Sequence, residues 1–282
     1  KEFSPNVDTY WFHHRCYIAK ATENFLMPSR TGIEFVDPEK ENWDINHWVR
    51  GGCLYGVMPA NGLTYAPPHN CACYPETKLY GFNALSATGP RPDNPSKDRL
   101  EKGPAFGKVV AAVPAESDWP TFRADEQRSG FTSQSIAGKN LTTEWETDLG
   151  GRLSAIVSAN GKLFVSQIDQ HTVHALDTNS GKPLWAFTTG GRVDSPPTIH
   201  KGAVIFGCAD GNVYCLRAED GELAWKFKAA PSIERHMAFE QLESVWPVHG
   251  SVLVKNDHAY FVAGRSNFLD GGLRFYGLDV DT

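Results

Sequence analysis

Four cysteines in the first third of the chain are the residues whose type and spacing could do chemistry most directly. Cys71 and Cys73 stand close to His69, a short-range spacing that suits metal ligands, and Cys53 could complete such a site. In an oxidising compartment, Cys16, Cys53, Cys71 and Cys73 would instead pair as one or two disulfides. Both interpretations stay open, with disulfides favoured. The C-x-x-C-H pattern of covalent haem attachment is absent from the sequence.

A second candidate set combines histidine, arginine and tyrosine side chains. Its members are His13, His14, Arg15, Tyr17, His236 and Arg265. A polysaccharide lyase needs groups of this kind, because one neutralises a uronate carboxylate while another removes the C5 proton. The competing interpretation, which we favour, is that these groups hydrogen-bond loops and the wall of a channel, because no fixed spacing ties them together. The residues alone leave it open whether the chain is an enzyme.

The elements that must position these residues are short β-strands. Of the 282 residues, 41% are hydrophobic and 12% aromatic, and 26 Gly and 18 Pro are typical of many short strands joined by tight turns. The net charge of −6 and the lack of a Lys/Arg cluster disfavour a nucleic-acid partner. No apolar run reaches the ~18 residues that a transmembrane helix needs.

The strongest pattern in the sequence is a repeat of 40 residues, the interval that separates Trp145, Trp185 and Trp225. The stretch HALDTNSGKPLW, residues 174–185, predicts the end of a strand, a tight turn and the start of the next strand. CLRAEDGELAW, residues 215–225, is a variant of it. Four short antiparallel strands in about 40 residues is the period of a propeller blade. We therefore expect an all-β fold, a β-propeller with four-stranded antiparallel blades, present as a fragment of a larger chain.

Matching strands are predicted within successive units of the repeat. Residues 161–166 correspond to residues 202–207, and residues 172–177 correspond to residues 212–217. The sequence Ala-Asp-Gly-Asn at residues 209–212 predicts the hairpin turn between two of these strands. In the first third, Gly52 to Tyr55 match the slot of an inner strand.

Two segments break the repeat. Leu216 and Leu278 are 62 residues apart, against 40 for Leu176 and Leu216, so residues 229–250 contain an insertion. The other break is HNCACYPETK, residues 69–78. We expect any chemistry to lie where the repeat is broken.

The insertion at residues 229–250 has two interpretations. Phe239, Leu242 and Trp246 have helical spacing, which predicts a short helix packed onto the propeller. Alternatively, Glu240 and Glu243 could join Trp246 in an exposed binding lip. The helix is the favoured prediction.

The composition divides the chain into three parts. Residues 1–87 are expected to form two degenerate blades that carry the cysteine-bearing insertion, residues 88–117 a Pro-rich, charged linker, and residues 118–282 further blades, the last one incomplete. Whether the first and third parts belong to one ring or two is left open. Because the chain starts and stops inside repeats, we expect a piece of a longer polypeptide.

A family likeness rests on two of these motifs. The pattern A-x-D-x-x-S-G-K-x-x-W at residues 175–185 resembles the tryptophan-docking motif of the pyrroloquinoline-quinone (PQQ) dehydrogenase-like propellers. DWPTFRADEQRSG, residues 118–130, resembles the segment that opens the first blade in many PQQ-like repeat proteins. The likeness covers residues 118–282 well and residues 8–87 more weakly. RGGCLYGVMPANGLTYAPPHNCACYPE, residues 50–76, is similar to segments of large PQQ-like repeat proteins from environmental bacteria such as planctomycetes.

The resemblance implies an exported, periplasmic bacterial protein in which Trp145, Trp185 and Trp225 pack between neighbouring blades. The superfamily holds periplasmic quinoprotein dehydrogenases, which bind PQQ and Ca²⁺ in a central funnel, and non-catalytic scaffolds of outer-membrane barrel assembly. The quinoprotein alcohol dehydrogenases have adjacent cysteines, whereas the nearest pair here is Cys71-x-Cys73. The family's calcium ligands also have no matching motif in this chain.

These departures set the order of the functional hypotheses. We expect a binding or scaffold module of a larger exported protein, whose partner is another protein or the remaining blades of the same polypeptide. A PQQ-dependent dehydrogenase with PQQ and calcium is the first alternative. A lyase-type enzyme acting on a glycan is the second.

Overall fold

A computed structural model describes residues 17–28, 32–46, 49–68, 79, 81–87, 98–135, 138–139, 141–267 and 270–281. The regular structure of these residues is β-strand, apart from one single-turn 3-10 helix at Ile168–Gln170. The chain divides into two compact units. The first unit contains residues 1–91 and 237–242, and the second contains residues 92–236 and 243–282.

The first unit contains two antiparallel sheets. One has four strands in chain order: β1 (Lys20–Ala21), β2 (Leu26–Met27), β3 (Ile33–Asp37) and β4 (Asn42–Asn46). The other has three: β5 (Met58–Ala60), β6 (Leu63–Ala66) and β7 (Asn83–Ser86). Their small shared core consists of Tyr17, Met27, Ile33, Val49, Val57 and Ala66.

The inner strand expected at Gly52 to Tyr55 is a tight turn. The backbone N–H of Gly56 donates to the carbonyl of Gly52 at 2.8 Å, and Leu54 takes a positive φ of 88°. The prediction was wrong because two glycines, Gly52 and Gly56, let the backbone fold back on itself, and the apolar residues between them lie exposed.

The second unit contains three successive blades. Blade A consists of β9 (Val157–Ala159), β10 (Lys162–Gln167), β11 (Thr172–Asp177) and β12 (Pro183–Thr188). Blade B contains β13 (Thr198–His200), β14 (Ala203–Gly207), β15 (Asn212–Arg217) and β16 (Leu223–Lys228). The chain between blades B and C forms a separate hairpin of β17 (Arg235–Ala238) and β18 (Gln241–Ser244), of which only the base belongs to the second unit, since residues 237–242 are grouped with the first. Blade C consists of β19 (Leu253–Lys255), β20 (His258–Ala263) and β21 (Arg274–Asp279).

The repeat predicted from the sequence is present in the strand register. Strands β11 and β15 occupy the predicted ranges, and each pairs antiparallel with the strand before it and the strand after it. The pairing with the fourth strand shifts register between Ala175 and Leu176 in blade A, and between Cys215 and Leu216 in blade B. The repeated motif therefore encodes an irregularity at the same point of blades A and B, and the propeller-type all-β fold is confirmed.

The core of the second unit forms two layers because β14 and β15 of blade B are buried on both faces. In β14, Val204 and Phe206 join a cluster shared with blade A, while Ala203 and Ile205 join a cluster shared with blade C. This division follows from the two-residue period of a strand, which sends successive side chains to opposite faces. Blade-on-blade packing is thus what buries the apolar residues.

The range expected to be a linker supplies a strand. β8 (Leu100–Lys102) adds a fifth strand to blade B by pairing antiparallel with β16. The Arg99 guanidinium donates to the carbonyls of Lys228 and Ala229 at 2.8 and 2.7 Å, and to the Tyr276 hydroxyl at 2.9 Å. The guanidinium also lies 5.1 Å from the ring centre of Phe227 and 5.0 Å from that of Tyr276. The strand is stabilised by hydrogen bonds from Arg99 to residues about 130 positions away, which local composition cannot reveal. The boundaries of the three parts of the chain remain a prediction.

Residues 118–130, expected to open the first blade, cross the first strands of blades A and B. Trp119 pairs with Ser158 of β9, and the Pro120 carbonyl accepts the N–H of Ile199 at 2.7 Å. Further along, Arg128 donates to the Phe122 carbonyl at 2.7 Å and to the Val252 carbonyl, just before β19, at 3.4 Å. The segment thus ties together the starts of three blades.

Candidate functional site

Three indole rings at successive repeats reach into the next blade. Each Nε1–H donates to a backbone carbonyl that follows a third strand. The pairs are Trp145 to Thr178 at 3.0 Å, Trp185 to Ala218 at 3.1 Å and Trp225 to Val280 at 3.1 Å. The two regular contacts span 33 residues, and the third, which crosses the insertion, spans 55 residues.

The glycine of the repeated motif makes room for these rings. A Cβ atom on Gly181 would collide with the Trp145 ring, and one on Gly221 would lie 2.6 Å from the Trp185 ring. Both glycines also have a positive φ, 66° and 75° respectively, which L side chains resist. These contacts support our proposal that the three tryptophans are docking residues and that the repeated motif serves packing.

A charged cluster occupies the part of the second unit where the repeat is broken. Its members are Arg192, Asp194, His236, Glu243, His249 and Arg265. Glu243 lies at the centre, with 2% of its side chain exposed. Its carboxylate is 3.0 Å from the Arg192 guanidinium, 3.2 Å from His236 Nε2 and in contact with the Arg265 guanidinium.

Asp194 forms the second anionic centre of the charged cluster. Its carboxylate lies 3.4 Å from Arg192 and 2.6 Å from Nδ1 of His249. Burial alone would raise the pKa of Asp194, but the hydrogen bond and charge of His249 and the charge of Arg192 outweigh burial and lower that pKa. Asp194 is therefore an ionised partner of Arg192 and His249.

The cluster residues come from several elements of the second unit. Arg192 and Asp194 precede β13. His236 on β17 faces Glu243 on β18. Arg265 lies just after the end of β20. Because Arg192 and Asp194 are two residues apart in extended chain, both side chains point to the same side. The base of the inserted hairpin is thereby attached to the blade by ion pairs.

The helix predicted for the insertion is wrong, since β17 and β18 form a hairpin. Its two-residue turn is Phe239 and Glu240, with positive φ values of 52° and 62°. Phe239 and Leu242 are 53% and 50% exposed, whereas Trp246 is buried and donates to the Asp270 carbonyl at 3.2 Å. Helical spacing of three apolar residues was misleading, because the buried ion pairs of Glu243 hold the segment extended.

Because of the charged cluster, we expect the free energy of unfolding of the second unit to fall in mild acid. Burial, followed by the charge of Arg265, lowers the pKa of His236 from 6.5 to about 4. The carboxylate of Glu243 does not reverse this, because two guanidiniums already neutralise it. The folded state therefore keeps His236 neutral while the unfolded state binds a proton below pH 6.5, so stability is lost as the pH falls towards 4. We expect the free energy of unfolding to be about 1–2 kcal/mol lower at pH 4.5 than at pH 7, a value that allows for the partial exposure of His236.

Urea unfolding of the wild type, His236→Gln and His258→Gln at both pH values measures this effect. The His236→Gln variant should lose less stability on acidification than the wild type, and the variant at exposed His258 should behave as the wild type does. Equal losses in all three proteins would show that His236 does not carry the pH dependence.

The other predicted site residues are distributed as follows. Tyr17 is buried in the first unit and donates its hydroxyl to the Gly32 carbonyl at 2.9 Å. Cys53 is exposed, and its sulfur lies 3.6 Å from an Arg50 nitrogen. Among the described residues no disulfide joins two cysteines, so the disulfide prediction has no support there. His13, His14, Arg15, Cys16, His69, Cys71 and Cys73 lie outside the described residues.

The two remaining candidates, His236 and Arg265, are brought together on Glu243. Sequence reasoning missed Arg192 and Asp194, which complete the cluster. The signal that could have found them is the Arg-x-Asp alternation immediately before an inner strand, where a two-residue period places both charges on one side.

The donor groups of the cluster do not fit calcium and PQQ. Ca²⁺ takes about six to eight oxygen ligands. The two carboxylates of the cluster are already paired with Arg192, Arg265 and His249. In the part of the chain that the structure describes, no three His, Cys, Asp or Glu side chains form a group that could hold a metal ion. We therefore derive no chemical step through that cofactor.

Comparison with known proteins places the repeat region in context. A family model described as outer membrane protein assembly factor BamB matches residues 134–265, somewhat less than half of the chain. The BamB protein of Burkholderia pseudomallei (strain K96243) is 34% identical over 95 residues, which are 34% of this chain and 25% of that protein. The chain spans about a quarter to a third of the length of the curated relatives it matches.

Two solved structures are similar at lower identity. A quinohemoprotein alcohol dehydrogenase from Pseudomonas putida HK5 has a TM-score of 0.47 at 18% identity, covering 62% of this chain and 26% of that chain. BamB from Moraxella catarrhalis has a TM-score of 0.40 at 14% identity, covering 94% of this chain and 61% of that chain. The fold assignment rests on the strand order and register.

No helix within the described ranges is long and apolar enough to cross a membrane. Residues 134–265 match that family model, and blades A and B, which lie within this range, carry a bulge at the same point. This part of the chain is therefore similar to the PQQ-like β-propeller repeats of BamB.

Proposed function

We propose that this chain is a binding module of a larger exported, periplasmic protein and that it recognises a protein partner. The names of the curated relatives support this, since each is an outer membrane protein assembly factor. The chain spans only a part of those relatives, and we propose a role in assembly for it on this likeness.

The observation that carries the proposal is the exposed hairpin of β17 and β18. Met237, Phe239 and Leu242 expose 43%, 53% and 50% of their surface on an element of ten residues, Arg235 to Ser244. Exposed apolar side chains gathered on one short element are typical of a protein-binding site. The turn also holds Phe239 and Glu240 at positive φ, which costs about 1–3 kcal/mol per residue and is common where function requires it.

The hairpin is also pre-organised. Its strands are fixed at their base by Glu243, which contacts His236 on the opposite strand, the buried Arg192 and the half-buried Arg265. A contact element that is already ordered loses little conformational entropy on binding. The same ion pairs give the lyase hypothesis no support, because His236 and Arg265 are both engaged by Glu243.

Photo-cross-linking in cells that produce the protein tests this proposal. p-Benzoylphenylalanine placed at Phe239 should yield a discrete adduct with one envelope protein. The same probe at Phe131, which is 72% exposed in the second unit, is the matched control and should yield none. Phe239→Ser in a co-purification with that envelope protein should reduce its recovery, whereas Phe131→Ser should not. No adduct at Phe239, or the same adducts at both positions, would contradict the proposal.

A further inference from the structure

Strand β8 has an open edge in the described part of the chain. It is the last strand of its sheet, and Glu101 lies opposite Lys226. The N–H of Lys228 donates to the Arg99 carbonyl, and the N–H of Gly103 donates to the Ala224 carbonyl, both at 2.8 Å. Residues 99, 101 and 103 therefore bond towards β16. Leu100 and Lys102 turn their backbone N–H and C=O groups away from the sheet, as the antiparallel pattern requires.

The side chains of β8 do not block that edge. The Lys102 ammonium lies over the Phe106 ring, 4.3 Å from its centre. Leu100 packs against the core cluster shared by blades B and C. The edge consequently lacks the outward-pointing lysine by which natural sheets often prevent strand addition.

A cavity of about 550 Å³ lies beside this edge, in the second unit. Its volume is within the range of about 300–1,000 Å³ that is usual for binding pockets. One wall comes from Asp98 to Glu101 and from Lys226 and Lys228, and the other from Ala230 to Arg235 of the insertion. The cavity therefore lies between the added strand and the segment that breaks the repeat.

The charges in the cavity are of both signs. Lys226 is paired with Glu101 at 2.7 Å, and the Asp210 carboxylate accepts the Tyr214 hydroxyl at 2.5 Å. Lys228, Glu234 and Arg235 enter no ion pair with the residues that the structure describes, and they line the cavity. They offer two cations and one anion to a ligand.

We propose that β8 and this cavity form a groove for an extended segment of a partner polypeptide, with an acidic and a basic side chain two residues apart. Such a segment would hydrogen-bond to the outward groups of Leu100 and Lys102, and side chains two apart would both point into the cavity. The acidic side chain meets Lys228 and Arg235, and the basic one meets Glu234. This inference rests on the proposed function in that both require a protein partner.

Two synthetic peptides serve as probes: acetyl-Thr-Val-Glu-Val-Lys-Val-Thr-amide, and the same peptide with Glu and Lys exchanged. Titration of the isotope-labelled protein, followed by NMR, should shift the amide signals of Leu100 and Lys102 with one of the two orders. The same peptides N-methylated at alternate amides should bind roughly tenfold more weakly or not at all, because a hydrogen bond is lost.

Leu100→Pro is the sharpest variant. It removes an N–H that β16 does not use, and proline is tolerated at such edge positions, so the Glu101 and Gly103 amide signals should stay in place. Peptide binding should weaken roughly tenfold. The triple variant Lys228→Glu, Glu234→Lys, Arg235→Glu exchanges the signs of these charges and should reverse the preference between the two peptides, and it leaves the backbone edge untouched.

The groove is ruled out if neither peptide shifts the Leu100 and Lys102 signals, or if Leu100→Pro retains wild-type affinity with β8 intact. Neither result bears on the cross-link at Phe239, which uses no synthetic peptide. Conversely, if a peptide binds at β8 but no cross-link forms at Phe239, the groove proposal is supported and the proposed contact of the hairpin is contradicted.

Discussion

Replacing Trp225 by alanine should lower the free energy of unfolding of the second unit by about 3–5 kcal/mol. The ring is 4% exposed and belongs to the core cluster shared by blades B and C. Its Nε1–H also donates to the Val280 carbonyl at 3.1 Å. The variant therefore opens a cavity and leaves a carbonyl without its donor. Urea unfolding followed by circular dichroism should show a lower midpoint at an unchanged slope.

Two comparison variants separate the contributions. Trp225→Phe keeps most of the ring and removes the hydrogen bond, so we expect a loss of about 1–2 kcal/mol. Trp145→Ala should be milder than Trp225→Ala, because Trp145 is only partly buried. Equal losses for the two alanine variants would show that burial between blades does not set the contribution of these rings.

Glu243→Leu should destabilise the second unit by about 3–5 kcal/mol. The substitution removes the carboxylate nearest to Arg192, whose side chain is only 2% exposed, and it also releases His236 and Arg265. Breaking a buried ion pair from one side leaves a charge in a medium that solvates it poorly. The measurement is again the urea midpoint, at pH 7.

The double variant Arg192→Leu, Glu243→Leu provides the control. With both charges removed, apolar side chains replace the Arg192–Glu243 pair, and part of the lost stability should return, whereas the part due to Arg265, which still lacks its carboxylate, should not. If the double variant is as unstable as the sum of the two single variants, then the pair is not coupled, and the hairpin is held by its apolar contacts.

The strands of blades A and B could be predicted because local signals agree there. In β11 and β15, alternating apolar residues end at a turn whose glycine has a required positive φ, and the pattern recurs after 40 residues. The hairpin of β17 and β18 could not be predicted in this way. Its extended form depends on contacts such as Arg192 with Glu243, 51 residues apart, and local apolar spacing favoured a helix.

The candidate site was predicted only in part for the same reason. His236 and Arg265 were identified by residue type, but their common partner Glu243 was considered only as part of an exposed lip, the less favoured interpretation of the insertion. Arg192 and Asp194 lie in a short Gly- and Pro-rich stretch that resembles an ordinary connection. A charged cluster of this kind is assembled by tertiary contacts, and the sequence shows only its separate members.

The docking contacts also explain how such a chain can gain new surfaces. Trp225 reaches its carbonyl across 55 residues, where the regular units need 33, and the indole hydrogen bond is the same length within 0.1 Å. By polymer statistics, closing the longer loop costs only about 0.5 kcal/mol more. An insertion between two docking points is therefore almost neutral for folding. Evolution can lengthen one connection into a hairpin and a groove wall while the register of the neighbouring blades is preserved.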